Sequence, residues 1–326
     1  MRKATVQSSS DVALVKYWGR KDEVLRLPEN GSISLILDSL YSQTTVEFRN
    51  DLSRDEVTIT GLSEEGEETR VSKHLDRIRA LAGVQTRAKV NSVNNFPPAT
   101  GLSSSGSGFS ALTRAGLLAA GLDLNEREIS ILARQGSGTA CRCSCGGIVE
   151  WKDGDTSEAS YAESLYASDY WDIRDVIAVV STGRKDTSSS EGHTLAKTSP
   201  LYSTRLANIP KKLFQVKELL AKKAFEELGE VVEQEALEFH SILFTSTPSL
   251  FIWLPGTIEV IREVRALRTE GVPAYFTIST GFNVHVLTLP EFESKVEERL
   301  RALPSVINIL KSKIGDAPKE LQTHLF

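Results

Sequence analysis

The stretch at residues 94–112, NNFPPATGLSSSGSGFSAL, constrains this chain more than any other part of its sequence. A strand-like run at residues 87–91 leads into a loop of proline, glycine and serine, and a helical pattern follows at residues 108–120. Glycine lets the backbone approach a ligand closely, serine supplies hydroxyl groups, and a helix start offers unpaired N–H groups to an anion. The stretch lacks the lysine of the Walker A pattern. It indicates a phosphate-binding loop of another kind, with a flexible turn as the alternative.

Length and composition predict a globular protein with about two domains and a sizeable core, since the chain has 326 residues, 40% of them hydrophobic and 25% charged. The net charge of −5 and the pI near 5.7 argue against a nucleic-acid partner and against binding to an anionic membrane. No apolar run is long enough to span a membrane, and the first residues lack the apolar core of a signal peptide. We therefore expect a cytoplasmic protein.

Hydrophobic periodicity predicts strands and helices in a pattern that resets beyond residue 175. Before the reset we predict strands at residues 4–7, 44–48, 56–60 and 141–151, and helices at 71–81, 108–120 and 125–134. After it we predict strands at 176–180, 274–278 and 283–287, and helices at 213–243 (broken near Gly229), at 255–270 and from Pro290 onward. Together these elements indicate a two-lobed protein of helices and strands with a boundary at about residues 175–190.

The three cysteines of the chain are Cys141, Cys143 and Cys145. On a strand this spacing would place all three on one face, which is compatible with a metal site. A fourth ligand is not indicated anywhere in the sequence. We favour small buried side chains over a structural metal.

Four segments together resemble the GHMP kinase superfamily. Residues 97–105, P-x-x-x-G-L-S-S-S, resemble its phosphate loop, and residues 13–22, ALVKYWGRKD, resemble its A-V-I-K-Y-W-G-K-R-D. Residues 27–35, LPENGSISL, resemble L-P-x-N-x-S-x-S-x, and residues 136–151 resemble G-S-G-S-A-C-R followed by G-G-F-V-E-W. In this order and spacing the segments resemble the mevalonate diphosphate decarboxylase branch.

The resemblance implies an α+β, two-lobed GHMP-kinase-like fold. It implies an ATP-binding N-terminal lobe like ribosomal protein S5 domain 2 at residues 1–180 and a ferredoxin-like C-terminal GHMP lobe at residues 181–326. It also implies ATP and Mg²⁺ as cofactors, a small-molecule substrate, and a homodimer. The implied reaction belongs to the mevalonate pathway of isoprenoid biosynthesis. ATP phosphorylates C3 of mevalonate 5-diphosphate or 5-phosphate, and loss of CO₂ then gives isopentenyl diphosphate or phosphate.

The resemblance also carries site residues over to this chain. Lys16 corresponds to the lysine that contacts the C3 hydroxyl and the transferring phosphoryl group, and Arg142 to the arginine that holds the C1 carboxylate. The implied substrate-binding residues are Tyr17, Arg20, Lys21, Ser137, Thr139 and Ser189. The implied ATP-binding residues are Pro98, Gly101, Leu102, Ser103, Ser104, Ser105, Gly106 and Ser107, with Ser105 also as a metal ligand.

Two further segments have two interpretations each. Residues 185–193 resemble the second substrate loop of the family, but the match is loose and a polar linker is the alternative. His240 corresponds to a histidine on a helix that lines the family's cleft, with a structural histidine as the alternative.

One position departs from the family. Residues 276–283 read FTISTGFN where the family has Y-T-F-D-A-G-P-N, so Ser279 stands in place of the aspartate beside the C3 hydroxyl. No acidic residue occurs at 271–290, and a serine hydroxyl is not a base at neutral pH. Ser279 is therefore a third expected catalytic position, whether its origin is natural divergence or deliberate substitution.

The departure keeps two alternatives beside the decarboxylase open. One is a mevalonate-type 3-kinase, because relatives that phosphorylate C3 without decarboxylation carry a small hydroxyl residue at this place. Those relatives also lack the lysine that Lys16 retains, so the sequence points in both directions. The other alternative is a non-catalytic nucleotide-binding paralogue.

Overall fold

The structure is a computed structural model that describes residues 3–61, 66–98, 100–183 and 187–326. Its strands are β1 (Lys3–Val15), β2 (Arg20–Asp22), β3 (Leu27–Pro28), β4 (Ser32–Arg49), β5 (Glu56–Ile59), β6 (Arg87–Asn94), β7 (Ile148–Trp151), β8 (Ala162–Tyr166), β9 (Arg174–Val179), β10 (Tyr275–Thr277), β11 (Val284–Thr288), β12 (Asn308–Lys313) and β13 (Lys319–Leu321). Its α-helices are α1 (Glu67–Ala82), α2 (Ser104–Ala120), α3 (Glu126–Gly136), α4 (Ala140–Cys143), α5 (Ser189–Leu195), α6 (Tyr202–Lys222), α7 (Phe225–Thr245), α8 (Pro255–Thr269) and α9 (Glu293–Arg301).

The first sheet supports the predicted phosphate loop. Within the described residues its strand order is β13-β1-β4-β6-β5, with β7 paired to β4 and β8 paired to β7. The pair β5 and β6 is parallel, whereas β1 and β4 are antiparallel. Helices α1, α2 and α3 pack on this sheet through a buried apolar cluster that includes Val46, Val90 and Leu112. The loop joins β6 to α2, so the packed core of this lobe fixes both of its ends.

The second sheet has the order β10-β11-β9-β12 and is antiparallel throughout. Its strands pack against α8 and α9 through a second cluster that includes Val264, Phe276 and Leu300. The last strand, β13, leaves this lobe and pairs with β1 of the first sheet. The prediction of a two-lobed α+β architecture is confirmed, while the exact division at residue 180 stays a prediction.

The two lobes share a buried apolar core. One cluster joins Leu14 and Leu35 of the first sheet to Ile177 of the second sheet and to Val216 and Leu228 of α6 and α7. Burial of large aliphatic side chains contributes about 1.5–3 kcal/mol each, so this cluster holds the lobes firmly against one another. No helix in the described ranges has the length and apolar character needed to cross a membrane.

The predicted strand at residues 141–151 is wrong in its first half. Cys141 and Cys143 lie in the short helix α4, and the chain turns at Gly147 with a φ of 79° before β7 begins. The cysteines of this segment recur at every second position, as on a strand. Small side chains of this kind also fit a short buried helix, so their spacing does not distinguish the two structures. All three cysteines are buried, as we favoured. The described part of the chain contains no group of His, Cys, Asp and Glu suited to a metal.

The predicted break of a long helix near Gly229 is also wrong. The chain breaks instead at Lys223, which has a φ of 52°, between α6 and α7. Gly229 lies inside α7, where a Cβ would overlap the ring of Tyr275. The glycine is therefore required by close packing of α7 on β10 and not by a turn.

The last predicted helix is shorter than its pattern suggested. Pro290 begins a 3₁₀ turn, Pro290–Phe292, and α9 follows with nine residues. Two strands that we did not predict, β12 and β13, come after it. The side chains of β12 are buried at Ile309 and Ser312, and those of β13 are exposed or half-buried, so each of these edge strands has a weak hydrophobic pattern.

Candidate active site

A cleft of about 1000 Å³ opens where the two lobes meet. It is lined by β1, β4 and β6, by the starts of α1 and α2, by α4 and α5, and by the segment after β10. The predicted site residues in its lining are Lys16, Tyr17, Arg20, Gly101, Ser103, Ser104, Ser105, Ser137, Thr139, Arg142, Ser189 and Ser279. Five predicted residues, all within the described ranges, lie outside the lining: Lys21, Pro98, Leu102, Gly106 and Ser107.

Near its end the phosphate loop has two residues with left-handed backbone, one on each side of Leu102. Gly101 has a φ of 91° and Ser103 a φ of 58°, immediately before α2 begins at Ser104. The first turn of α2 carries no acidic side chain, which suits a helix start that receives an anion. Ser105, the predicted metal ligand, is exposed, and the Ser137 hydroxyl donates to its Oγ at 3.2 Å.

The buried members of the loop have structural partners. Leu102 packs in the core, and its carbonyl oxygen accepts a hydrogen bond from Ser10 Oγ at 2.6 Å. The backbone N–H groups of Gly106 and Ser107 donate to the carbonyl oxygen of Ser103 at 2.9 and 3.3 Å. These two N–H groups already have an acceptor, so they contribute less to anion binding than the sequence suggested.

The loop touches the segment that contains Ser279. A Cβ on Gly101 would lie 2.5 Å from Cα of Gly281, and a Cβ on Gly281 would overlap the carbonyl oxygen of Thr100. Asn283 donates from Nδ2 to the same Thr100 oxygen at 3.3 Å. Two glycines thus let the backbones of the two lobes meet without side chains between them.

Arg142 forms a buried ion pair with Asp11, which the sequence analysis did not identify. Nε of Arg142 donates to Oδ2 of Asp11 at 2.8 Å, one terminal nitrogen lies 2.7 Å from the same oxygen, and the other donates to Ser32 Oγ at 2.7 Å. Burial alone would raise the pKa of Asp11, but the guanidinium and the hydroxyl of Ser103 hold it below its usual value. A guanidinium has five N–H donors, so Arg142 retains N–H groups for a further carboxylate.

Lys16 is buried at the end of β1. Its Nζ donates to the Ala13 carbonyl oxygen at 3.2 Å and to Thr277 Oγ1 at 2.7 Å. Its backbone N–H donates to Glu235 of α7 at 3.0 Å. The predicted catalytic lysine is therefore connected to both lobes.

Arg20 and Tyr17 line the cleft together. Nε of Arg20 donates to the Tyr17 hydroxyl at 2.8 Å, and its terminal nitrogens donate to Glu23 at 2.5 Å and to Ser190 Oγ at 3.3 Å. Lys21 is not among the residues that line the cleft, and its Nζ pairs with Asp155 at 2.6 Å. Its predicted role in substrate binding stays a prediction.

His193 is a cleft residue that the sequence analysis left without a role. Its ring lies 4.3 Å from the ring of Tyr17 and 4.3 Å from that of Trp18, measured between centroids. Nδ1 accepts the backbone N–H of Gly19 at 3.0 Å. In a neutral ring the proton is therefore on Nε2, which makes that atom a hydrogen-bond donor.

The predicted second substrate loop at residues 185–193 is only partly described. Lys185 and Asp186, at its start, lie outside the described residues.

Ser279 lies in the cleft lining between β10 and the turn at Thr280. The hydroxyls of Thr280 and Ser189 are 2.8 Å apart, which connects this turn to α5.

His240 of α7 contacts the same segment, since its Nε2 lies 3.3 Å from the Ile278 carbonyl oxygen. Burial lowers the pKa of His240 to about 3, with a further contribution from Lys16, so the ring is neutral and structural. It is not among the residues that line the cleft.

Two groups of functional interest had no clear signal in the sequence. Asp11 follows three serines and looks like a polar residue of an edge strand, yet it pairs with a residue 131 positions away. Glu235 is one of many glutamates on an amphipathic helix, and its contact with Lys16 spans 219 positions.

The residues of the cleft suit Mg²⁺ held mainly by phosphate oxygens. No carboxylate, histidine and cysteine cluster suited to an all-protein metal site occurs among the described residues. Mg²⁺ commonly keeps several waters and takes few protein ligands beside substrate phosphates. Hydroxyl groups such as that of Ser105 provide oxygen of the required kind next to the helix start.

Models of two protein families match the chain. The family described as diphosphomevalonate decarboxylase-like N-terminal domain matches residues 8–162, and the family described as mevalonate 5-diphosphate decarboxylase C-terminal domain matches residues 175–321. The phosphomevalonate decarboxylase of Haloferax volcanii is 34% identical over 298 residues, which are 91% of this chain and 91% of that protein.

Solved structures agree in fold. A structure of MDDEF in complex with MVAPP, AMPPCP and magnesium superposes with a TM-score of 0.92 at 34% identity, covering 98% of this chain and 99% of that one. Mevalonate diphosphate decarboxylase from Staphylococcus aureus superposes with a TM-score of 0.93 at 32% identity, covering 98% of each chain. The predicted GHMP-kinase-like fold is therefore confirmed.

Proposed function

Because this chain belongs to the diphosphomevalonate decarboxylase family, we propose that it is an ATP-dependent carboxy-lyase. It converts mevalonate 5-diphosphate or 5-phosphate to isopentenyl diphosphate or phosphate. The observation that carries this function is the convergence of Lys16, Arg142 and the Ser103–Ser105 loop on one cleft. The 3-kinase and the non-catalytic paralogue considered above are not favoured, since the named relatives are decarboxylases.

The positions of these groups support a division of labour along the cleft. The start of α2 offers N–H groups and hydroxyls to the phosphates of ATP. The N–H groups of Arg142 that Asp11 and Ser32 do not use suit the C1 carboxylate of the substrate. Arg20, His193 and Ser189 provide donors for the 5-phosphate or 5-diphosphate. In the proposed binding mode C3 lies between the ATP phosphates and Arg142, within reach of Lys16 and Ser279.

The reaction proceeds in two stages. The C3 oxygen first bonds to the γ-phosphorus of ATP as the bond to ADP breaks. The C3–O bond then breaks with its electron pair leaving on phosphate, the C1–C2 pair forms the C2–C3 double bond, and CO₂ departs. Catalysis of phosphoryl transfer rests mainly on positioning and charge stabilisation, which a rigid cleft with several fixed cations supplies.

Mg²⁺ would neutralise charge on the ATP phosphates and is proposed to bind beside Ser105. We further propose a homodimer in the cytoplasm, a compartment that suits three free cysteines. Sedimentation velocity tests the dimer, and a single species with the mass of one chain would contradict it.

Simultaneous measurement of ADP and CO₂ tests the function. The purified protein is given ATP, Mg²⁺ and, in separate reactions, mevalonate, its 5-phosphate and its 5-diphosphate, with ATP alone as the control. We expect equal amounts of ADP and CO₂ with one of the two phosphorylated substrates. ADP without CO₂ would identify a 3-kinase, and ATP binding without any turnover would identify a non-catalytic paralogue.

A further inference from the structure

The amine of Lys16 is held in a defined orientation. The residue is 3% exposed, yet it lines the cleft. Its Nζ donates to the carbonyl oxygen of Ala13 and to Oγ1 of Thr277. A tetrahedral amine nitrogen has three positions besides its carbon, so these two contacts leave one position for the cleft. That position carries an N–H when the amine is protonated and a lone pair when it is neutral.

The charges around Lys16 favour the neutral amine. Among the described residues, the charged and titratable groups that act most strongly on it are Glu235 and His240 on α7, Arg205 and Lys212 on α6, and Arg142 on α4. Burial lowers the pKa of Lys16 to about 7, the single carboxylate in this set opposes the shift, and the three cationic side chains add to it. A substantial fraction of the amine is therefore neutral near pH 7.

The single carboxylate does not neutralise the amine directly. Glu235 accepts from the backbone N–H of Lys16, while its two oxygens also pair with Arg205 at 2.6 Å and with Lys212 at 2.8 Å. Its negative charge is shared between two other cations. Among the residues that the structure describes, Lys16 thus has no close counter-ion of the kind that normally keeps a buried lysine charged.

The carboxylates that line the cleft are poor candidates for a base. Asp11 is ion-paired with Arg142, and Glu67 is ion-paired with a neighbouring arginine. Glu191 is exposed on α5. Ser279, where the family has its aspartate, offers a hydroxyl that is not basic at neutral pH. Within the described lining of the cleft, Lys16 is the buried group best suited to accept a proton.

We propose, on the basis of the function proposed above, that the amine of Lys16 is the proton acceptor for the C3 hydroxyl in this chain. It replaces the carboxylate that Ser279 does not supply. The Ser279 hydroxyl then serves to orient the C3 oxygen by a hydrogen bond. The chain thereby retains base catalysis although the aspartate of its family is absent.

The proton balance of the two stages supports this assignment. In the first stage the neutral amine takes the hydroxyl proton as the C3 oxygen bonds to the γ-phosphorus and ADP leaves, which gives an ammonium and the 3-phosphate ester. In the second stage the C3–O bond breaks, CO₂ leaves, and the departing phosphate takes the proton from the ammonium. Lys16 is neutral again at the end, and no other proton donor or acceptor is needed.

A pH profile of the wild-type protein is the first test. We expect kcat/KM for the mevalonate substrate, at saturating ATP, to rise with pH through about 7 and to level off above it, because only the neutral amine accepts the proton. Lys16→Arg keeps a cation that stays charged, so it should lose about 10²–10⁴-fold in ADP formation and lose the rise near pH 7. Lys222→Arg, on a lysine whose side chain is 68% exposed, is the matched control and should behave like the wild type.

Restoring the carboxylate is the second test and does not depend on how Lys16→Arg folds. Ser279→Asp should move the rise of the profile to lower pH, toward the ordinary range of a carboxyl group at about 4. In the Ser279→Asp background, Lys16→Arg should cost less than about 10-fold, since the base is then supplied elsewhere. Binding of an ATP analogue by each variant shows that its cleft is intact.

The outcomes separate this inference from the proposed function. Stoichiometric ADP and CO₂ with a profile that is flat between pH 6 and pH 8 would overturn the role of Lys16 and leave the decarboxylase intact. That role would also be overturned if Lys16→Arg retains the wild-type rate, or if it is as damaging in the Ser279→Asp background as in the wild-type background. Absence of ADP and CO₂ from the wild-type protein with every substrate would overturn the proposed function itself.

Discussion

Asp11 and Arg142 neutralise each other in a place where neither charge is tolerated alone. Asp11→Asn keeps the size of the side chain and one oxygen acceptor, but it leaves the buried guanidinium without a counter-charge. We expect the free energy of unfolding at pH 7 to fall by about 3–5 kcal/mol. The pKa of Asp11 is lowered in the folded protein, so the wild-type advantage is complete above about pH 4, the unfolded value, and is lost as the pH falls through the folded value.

Urea unfolding of both proteins between pH 7 and pH 3 measures this dependence. Asp51→Asn is the control, because Asp51 forms an exposed ion pair with Arg49 and should have little effect on stability. Equal stability of Asp11→Asn and the wild type at pH 7 would contradict the importance of the pair.

Lys212 offers a test of how the charges near Lys16 act. It is one of the cations that lower the pKa of Lys16, and its own ammonium pairs with Glu235 and Glu238. Lys212→Met removes that repulsion and frees Glu235 to attract the Lys16 ammonium, so the pKa of Lys16 should rise. The rise in the pH profile of ADP formation should then move to higher pH. A shift of the rise to lower pH would show that Lys212 and Glu235 do not change the pKa of Lys16 in this way.

Among individual site residues, the sequence indicated those that belong to short local motifs. Lys16, Arg142 and the serines of the phosphate loop are recognisable because each belongs to a short string of residues with fixed spacing. Asp11 and Glu235 could not be predicted in the same way, since their importance comes from partners more than a hundred positions away. Nothing in the local sequence distinguishes them from solvated carboxylates.

Helix α7 contains a glycine whose role is set by a neighbouring element. In an isolated helix Gly229→Ala would stabilise by about 1 kcal/mol. Here the new Cβ would overlap the ring of Tyr275 on β10, so we expect a net destabilisation of about 1–3 kcal/mol. Thermal unfolding measures the change.

Gly108 of α2 is the matched control for this prediction. A Cβ there would have Ser42 Oγ as its near neighbour at 4.0 Å, which is ordinary contact. Gly108→Ala should therefore raise the melting temperature or leave it unchanged. An increase in melting temperature for Gly229→Ala as well would show that β10 can move away from α7.

The elements that the sequence predicted well have strong local signals. Asn125 caps α3 with a full capping box at the start of the helix predicted over residues 125–134, and α8 begins at Pro255, the first residue of the helix predicted over residues 255–270. The wrong predictions, at residues 141–147 and near Gly229, concern small residues that are placed by tertiary packing. A small side chain is equally compatible with a turn, a strand or a crowded helix, so its role depends on neighbours that the local sequence does not specify.

On the scale of the whole molecule, the cleft depends on contact between the backbones of the two lobes. Gly281→Ala adds a Cβ that would overlap the Thr100 carbonyl oxygen and press on Gly101. We expect the phosphate loop to move away from Ser279, and a misplacement of about 1 Å to lower kcat/KM by about 10²-fold. Both lobes should remain folded, because their own cores are untouched. Steady-state kinetics with circular dichroism as the folding check measures this, and wild-type kinetics would contradict the coupling.

The general architecture was accessible from the sequence, whereas the way the lobes meet was not. The reset of the hydrophobic pattern beyond residue 175 indicated two lobes. The shared core of Leu14, Leu35, Ile177 and Val216 is formed by residues that each lobe could equally have used for itself. Which apolar face is shared is decided by three-dimensional fit and not by periodicity.

The pairing of β13 with β1 has a consequence for how the chain is made. Thr5 contacts the ring of His324 across 319 positions, and β1 obtains one of its two neighbours only from that late segment. During synthesis the second lobe can therefore be complete while the first lobe still has an open edge. Such an edge is a template for pairing with other chains. Nascent copies on neighbouring ribosomes are thus exposed to mispairing at β1 until residues 319–321 have been synthesised and have paired with it.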